Sequence, residues 1–158
     1  MTDGTVLFEE EATISAQLKT ILLLAAAVFV VFSIYTVINP SSDSAGAPIL
    51  LAVTGIILLT FWTFFRMRFR ITTEGVEAWM APFTHRVKYD EIDYIKIKDV
   101  PWYVGWGMRI WGRRIGFISM HKPSVYIKKK GGFFRTFVLS SSDPENFQKM
   151  IEEQMGKR

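Results

Sequence analysis

The sequence predicts a two-helix transmembrane hairpin attached to a small, basic, mostly β domain that ends in one helix. Three observations carry this expectation. Two uncharged apolar runs, 20–38 and 47–65, flank a polar stretch, and from residue 66 continuous apolarity gives way to strict alternation. The charge divides at the same point: residues 1–65 carry one Lys against five acids, net −4, whereas residues 66–158 carry eighteen Lys and Arg against ten acids, net +8. The apolar fraction, 49%, is high for a water-soluble chain of 158 residues.

Taken in order, residues 1–17 read as an N-terminal juxtamembrane segment and residues 18–66 as the hairpin. Each apolar run, at about 1.5 Å per residue, comes close to crossing a hydrocarbon core of roughly 30 Å. Between them Asn39, Pro40, Asp43 and Gly46 mark a breaker, because Pro cannot continue a helix and Asp and Gly favour turns. Phe61, Trp62, Phe64 and Phe65 close the second run with the aromatic side chains expected at a membrane interface. The loop has no Lys or Arg, whereas Lys19, Arg66, Arg68 and Arg70 flank the outer ends, which predicts both termini in the cytoplasm of a two-span cell-membrane protein. A cleaved signal peptide is disfavoured by an acidic leader and an overlong apolar run, and a soluble bundle by the missing polar stripe.

Residues 67–156 read as a cytoplasmic domain of about seven strands. Met67, Phe69 and Ile71 alternate with Arg66, Arg68, Arg70 and Thr72, the period of a half-buried strand. Thr72–Gly75 is a turn, Val76–Met80 a second strand closed by Pro82, and Phe83–Tyr89 a third. Ile92–Lys98 follows, then a Trp- and Gly-rich loop and a short strand over Ile115–Ser119. Val125–Lys129 and Phe133–Leu139 flank Gly131 and Gly132, a two-residue hairpin signal. Ser142 or Asp143 caps a last helix with Pro144 in its first turn, and Phe147, Met150, Ile151 and Met155 share one helical face.

Seven strands closed by one amphipathic helix resemble the pleckstrin-homology (PH)-like fold. Gly105-Trp106-Gly107-Met108-Arg109, within the stretch from Trp102, is similar to a motif of small prokaryotic membrane proteins with a bacterial PH-type domain, as is the ending Ser141–Glu145. The resemblance implies antiparallel strands in a partly open barrel, with Gly105, Trp106, Gly107 and Arg109 as fold-signature residues. The structural reading of these four, set against a headgroup or partner site, gives Gly105 and Gly107 tight backbone, makes Trp106 a plug at the barrel end and has Arg109 held by a carboxylate such as Asp99. Two departures stand out. The first hairpin turn, Thr72–Gly75, has no Lys or Arg, so phosphoinositide binding at the family's usual place gains no support. The final helix has Phe147 where the family has Trp.

Candidate functional residues cluster after Pro101. Trp102, Trp111, Arg113 and Arg114 combine rings suited to headgroup depth with guanidinium forks suited to phosphate. Lys128, Lys129 and Lys130 beside the Gly-Gly turn extend this candidate lipid or partner surface. Arg66, Arg68 and Arg70 read as electrostatic anchoring and topology. His85 shares an apolar alternation and reads as a hydrogen-bonded core residue. His121 has no nucleophile or acid nearby in sequence.

These patterns point to a non-enzymatic interaction or scaffold module on the cytoplasmic membrane face, or to binding of anionic lipid headgroups by the Trp/Arg loop. A channel or transporter subunit is disfavoured because the spans contain no intramembrane charge. With no Cys and two His, thiolate chemistry and His-rich metal sites are excluded, and no cofactor or catalytic residue is expected. The expected partners are the bilayer itself, anionic headgroups, and a protein or a second copy, for which small Ala52 and Gly55 offer a close-approach face. Nucleic acid is not expected, because a stacking platform needs room for a strand.

Overall fold

The computed structural model describes residues 4–39, 46–120 and 122–157, so most of the breaker stretch (40–45) and His121 lie outside the described residues. The chain forms two compact units, one of residues 14–65 and one of residues 1–13 together with 66–158.

The first unit is a pair of helices, α1 (Ala16–Ile38) and α2 (Gly46–Phe65), both long and apolar enough to cross a membrane. Ser15 caps α1, its hydroxyl accepting from the Leu18 amide at 3.2 Å. Along α2 the side chains withdrawn from the surface include Ala47, Leu50, Thr54, Ile57, Phe61 and Phe64, a three-four spacing that makes one seam. In α1 the buried positions are Ala26 and Ser33. The hydroxyls of Ser33 and Thr54 meet at 2.8 Å and tie the two helices together, while Ser33 also donates to the Phe29 carbonyl. Such bonds in apolar surroundings contribute about 0.6 kcal/mol. Ala52 and Gly55 point away from this seam, and a Cβ on Gly55 would meet nothing within 4 Å. Leu24, Val28, Val31, Ile56 and Leu59 are exposed, as suits lipid rather than water.

Among the described residues the second unit holds nine strands and one α-helix. Sheet I contains β1 (Val6–Glu11), β2 (Arg68–Thr72), β3 (Gly75–Met80) and β4 (Phe83–Lys88), antiparallel in that order. Sheet II contains β5 (Ile92–Asp99), β6 (Gly107–Trp111), β7 (Arg114–Ile118), β8 (Pro123–Lys129) and β9 (Thr136–Leu139), in the order β5-β8-β9-β7-β6. Helix α3 (Pro144–Gly156) closes the chain, with Asp143 accepting from the Asn146 amide as its cap.

Four features depart from the expected plan of seven antiparallel strands with a two-residue turn. The segment read as juxtamembrane contains β1, whose Glu11 faces Arg68; the Ala12 amide then donates to the Met67 carbonyl at 2.9 Å. The Trp- and Gly-rich loop contains β6. Strands β7 and β9 run parallel, and the Gly131–Gly132 connection is longer than a two-residue turn: the ladder ends at Lys128 and Thr136, leaving Phe133 and Phe134 outside any strand. Among the described residues no ladder joins the two sheets, so the strands form two sheets rather than one continuous barrel.

The sheets share a core. Phe69, Ile71, Val76, Ala78 and Val87 from sheet I and Phe117, Ile127, Phe137 and Leu139 from sheet II are sealed from solvent, with Phe147 and Ile151 of α3. The His85 ring of β4 meets the Phe137 ring of β9 edge-on at 4.9 Å. Strand β1 belongs to the same body: Phe8 packs edge-on against Phe147, and Ser142 donates to Glu10 at 2.8 Å.

Candidate functional site, a cationic face on sheet II

Period-two alternation places every second residue of neighbouring strands on one face. Across sheet II the register lines up Trp111, Arg114, Thr136, Lys128 and Tyr94 in one row, and Arg109, Gly116, Val138, Tyr126 and Lys96 in the next row on the same face. The floor is apolar: Val138 and Ile118 pack with Val100 and Val104 of the loop after β5, and Trp111 and Tyr126 lean on that cluster. Gly116 is required there, since a Cβ would lie 2.7 Å from the Trp111 ring. The Tyr126 hydroxyl donates to the Asp99 carbonyl at 3.3 Å.

Two adjoining open clefts lie on this face. One, of about 490 Å³, is lined by Arg113, Arg114, Lys128 and Arg135 with Trp111 and Thr136. The other, of about 320 Å³, shares Arg114, Lys128 and Thr136 and adds Lys96, Lys98, Tyr94, Tyr126 and Asp99. Six cations therefore face one acid. Among the described residues none of the six makes an ion pair. Lys96 instead sits 4.7 Å from the centre of the Tyr94 ring.

The arginines of sheet I are neutralised. Glu9 bonds Arg68 and Arg70, both at 3.0 Å, and Glu11 bonds Arg68 at 2.9 Å. Arg86 is paired with Glu77 and lies 3.6 Å from Glu74. The charges of Arg68 and Arg70 are thus taken up within the sheet, which the reading of them as electrostatic anchors did not foresee.

Of the candidates named from sequence, Trp111, Arg113, Arg114 and Lys128 come together. Trp102 stands on the loop after β5, beside the second cleft. The lysine triplet splits: strand alternation turns Lys129 to the opposite face, where it pairs with Glu91 at 2.9 Å, and Lys130, beyond the end of β8, donates to the Asp90 carbonyl at 2.9 Å. Gly105 and Gly107 adopt left-handed φ values of 77° and 85°, as their tight-turn role requires. Trp106 is 45% exposed and so plugs no barrel end. Arg109 lies against Gly105, and among the described residues it makes no pair with Asp99. Arg135, Lys96 and Lys98 were not foreseen, although Tyr94, Lys96 and Lys98 alternate visibly in sequence.

Burial pushes the Tyr126 phenol above its ordinary value, with Arg114 opposing, so it stays protonated near neutrality. His85 is half-buried against the Phe134 and Phe137 rings, its Nε2 buried without a hydrogen-bond partner, and burial lowers its pKa. It is therefore an aromatic packing residue rather than a hydrogen-bonded one. Among the described residues no group of three or more His, Asp or Glu could hold a metal ion. No protein-family model, curated protein or solved structure matches this chain.

Proposed function

We propose that the chain is a non-enzymatic interaction module held in the cell membrane by α1 and α2, with both termini and the β unit cytoplasmic, and that the cationic face of sheet II binds phosphate-bearing headgroups of anionic lipids. The observation that carries this reading is the set of six unpaired cations over an apolar floor, in a unit where Arg68, Arg70 and Arg86 of sheet I are neutralised. Guanidinium groups suit phosphate oxygens through paired hydrogen bonds. Lys19 and Arg66 at the outer ends of the spans support the orientation.

A PH-like identity for the β unit is supported by two packed sheets and a closing C-terminal helix, while the parallel β7–β9 pair departs from an all-antiparallel plan. The turn between β2 and β3 offers nothing to a phosphoinositide. The Thr72 hydroxyl already accepts from the Glu74 and Gly75 amides, and its carbonyl accepts from the Tyr89 hydroxyl.

The test is a titration of the full chain in a neutral detergent with short-chain phosphatidylglycerol or phosphatidylcholine, at low and high salt. The expected result is salt-sensitive binding of the anionic lipid alone. Arg114→Gln/Lys128→Gln should weaken it roughly 30-fold, from about 1 kcal/mol per cation and tenfold per 1.4 kcal/mol. Equal binding of both lipids, or an unaffected double variant, would refute the proposal.

A further inference from the structure

The loop between β5 and β6 carries the largest exposed aromatic side chains of the β unit. Trp102 is 83% exposed and Tyr103 70%, their rings edge-on at 6.3 Å. This is a braced loop. The Val104 amide donates to the Pro101 carbonyl at 3.0 Å, Val100 and Val104 are sunk into the floor of the cationic face, and Gly105 turns the chain with its left-handed φ. Rings presented on so fixed a support lose little conformational freedom when they are covered, which favours a binding element. Trp106 and Ile110 extend the exposed apolar surface.

We infer that Trp102 and Tyr103 form a docking element that enters the interfacial layer of an anionic phospholipid bilayer. Three features favour a bilayer over a protein surface. Trp and Tyr have an apolar body and a polar tip, which matches the headgroup region. Pro101 and Asp99 of the same segment line the cleft that holds Lys96, Lys98 and Arg114, so the rings rise at the rim of a surface already complementary to headgroups. The chain links are short: residues 12–15 join β1 to α1, and residues 66–67 join α2 to β2. Links of this length keep the β unit within reach of any bilayer the helices cross, at a high effective concentration of headgroups.

This inference rests on reading the cationic face as a headgroup site, and the two can fail separately. The chain has no Cys, so Tyr103→Cys and Phe133→Cys each give one attachment point for a spin label; Phe133, 80% exposed in the β8–β9 connection, is the reference. The labelled full chains are placed one per nanodisc, in phosphatidylcholine with or without phosphatidylglycerol, and probed with oxygen and a water-soluble nickel chelate. The label at 103 is expected to lose nickel accessibility several-fold relative to that at 133 in anionic discs, and to gain oxygen accessibility. A label at 103 as open to nickel as that at 133 overturns the docking element while leaving any salt-sensitive lipid binding intact. Protection that persists in lipid-free neutral detergent also overturns it, by assigning the loop to protein contact. Protection retained in neutral discs and in Arg114→Gln/Lys128→Gln would uphold the docking element and remove the headgroup site beneath it.

Discussion

In sheet I, Glu9, Arg70, Glu77 and Arg86 follow one another across four strands, so each arginine has a carboxylate opposite it. In sheet II the corresponding row reads Trp111, Arg114, Thr136, Lys128 and Tyr94, in which neutral side chains separate the cations and no acid intervenes. Opposite charges across strands stabilise and like charges directly opposite destabilise, by roughly 0.2–1 kcal/mol per pair. The first arrangement uses its charge to hold strands together. The second only spaces its cations apart, leaving their field directed at the solvent or at a ligand. Two sheets of one unit therefore use similar residues for different ends, and the comparison can be broken experimentally.

The largest effect should come from removing the acidic partner of sheet I. A fragment of residues 66–158 lacks β1, which strips Arg68 and Arg70 of Glu9 and Glu11 and takes Phe8 from Phe147. We expect it to show no cooperative unfolding transition. Because Ala12 and Met67 are hydrogen-bonded neighbours, residues 4–12 joined by a short Gly/Ser linker to residues 67–157 should instead fold as a soluble domain. Calorimetry of the two proteins checks this, and equal behaviour would mean that β1 contributes little.

Next in size is Gly116→Ala. The new methyl would displace the Trp111 ring from the floor of the cationic face, and overpacking of this kind costs about 1–3 kcal/mol. Denaturant unfolding should show that loss together with weaker anionic-lipid binding, since Trp111 forms a wall of the first cleft.

Smaller, and directly comparative, are the charge removals. Arg70→Gln should cost up to about 1 kcal/mol, because its ion pairs are partly exposed. Arg114→Gln should leave stability within about 0.5 kcal/mol of the parent while lowering lipid affinity. If both substitutions destabilise equally, the distinction between structural and available cations fails.

The sequence made the hairpin and β2 to β5 readable, because long apolarity and clean alternation are local signals. Strand β1 was hidden because Glu9, Glu10 and Glu11 look like a solvated charge run until Arg68 and Arg70, about sixty residues away, supply their partners. Strand β6 was masked by Gly105, Gly107 and Gly112, whose turn signals outweigh five residues of alternation. The parallel β7–β9 pairing is a non-local choice that neither strand announces. For the site, Arg113, Arg114 and Lys128 were legible as basic residues, but which lysine of the triplet joins them depends on strand phase. Arg135 joins them only because β9 lies beside β7.

Acid should separate the two uses of charge in a last, finer way. Hydrogen bonding from Arg70 holds the Glu9 carboxyl below its ordinary 4.5, so its stabilisation is complete above that pH and is lost as pH falls through the lower folded value. Burial, with the nearby Lys129 cation, holds His85 below 6.5, and Glu91 opposes the shift only partly. Folded His85 therefore resists a proton that the unfolded chain accepts, and stability begins to fall as pH drops below 6.5. The window between 6.5 and 4.5 thus belongs to the packing between the sheets, and the charge row of sheet I enters only below it. His85→Phe, which keeps an aromatic ring against Phe137, should flatten the decline in unfolding midpoint between pH 7.5 and 5.5, whereas Glu9→Gln should leave that stretch unchanged and flatten the decline below 4.5. A decline above pH 5 that survives His85→Phe would place the acid sensitivity elsewhere in the fold.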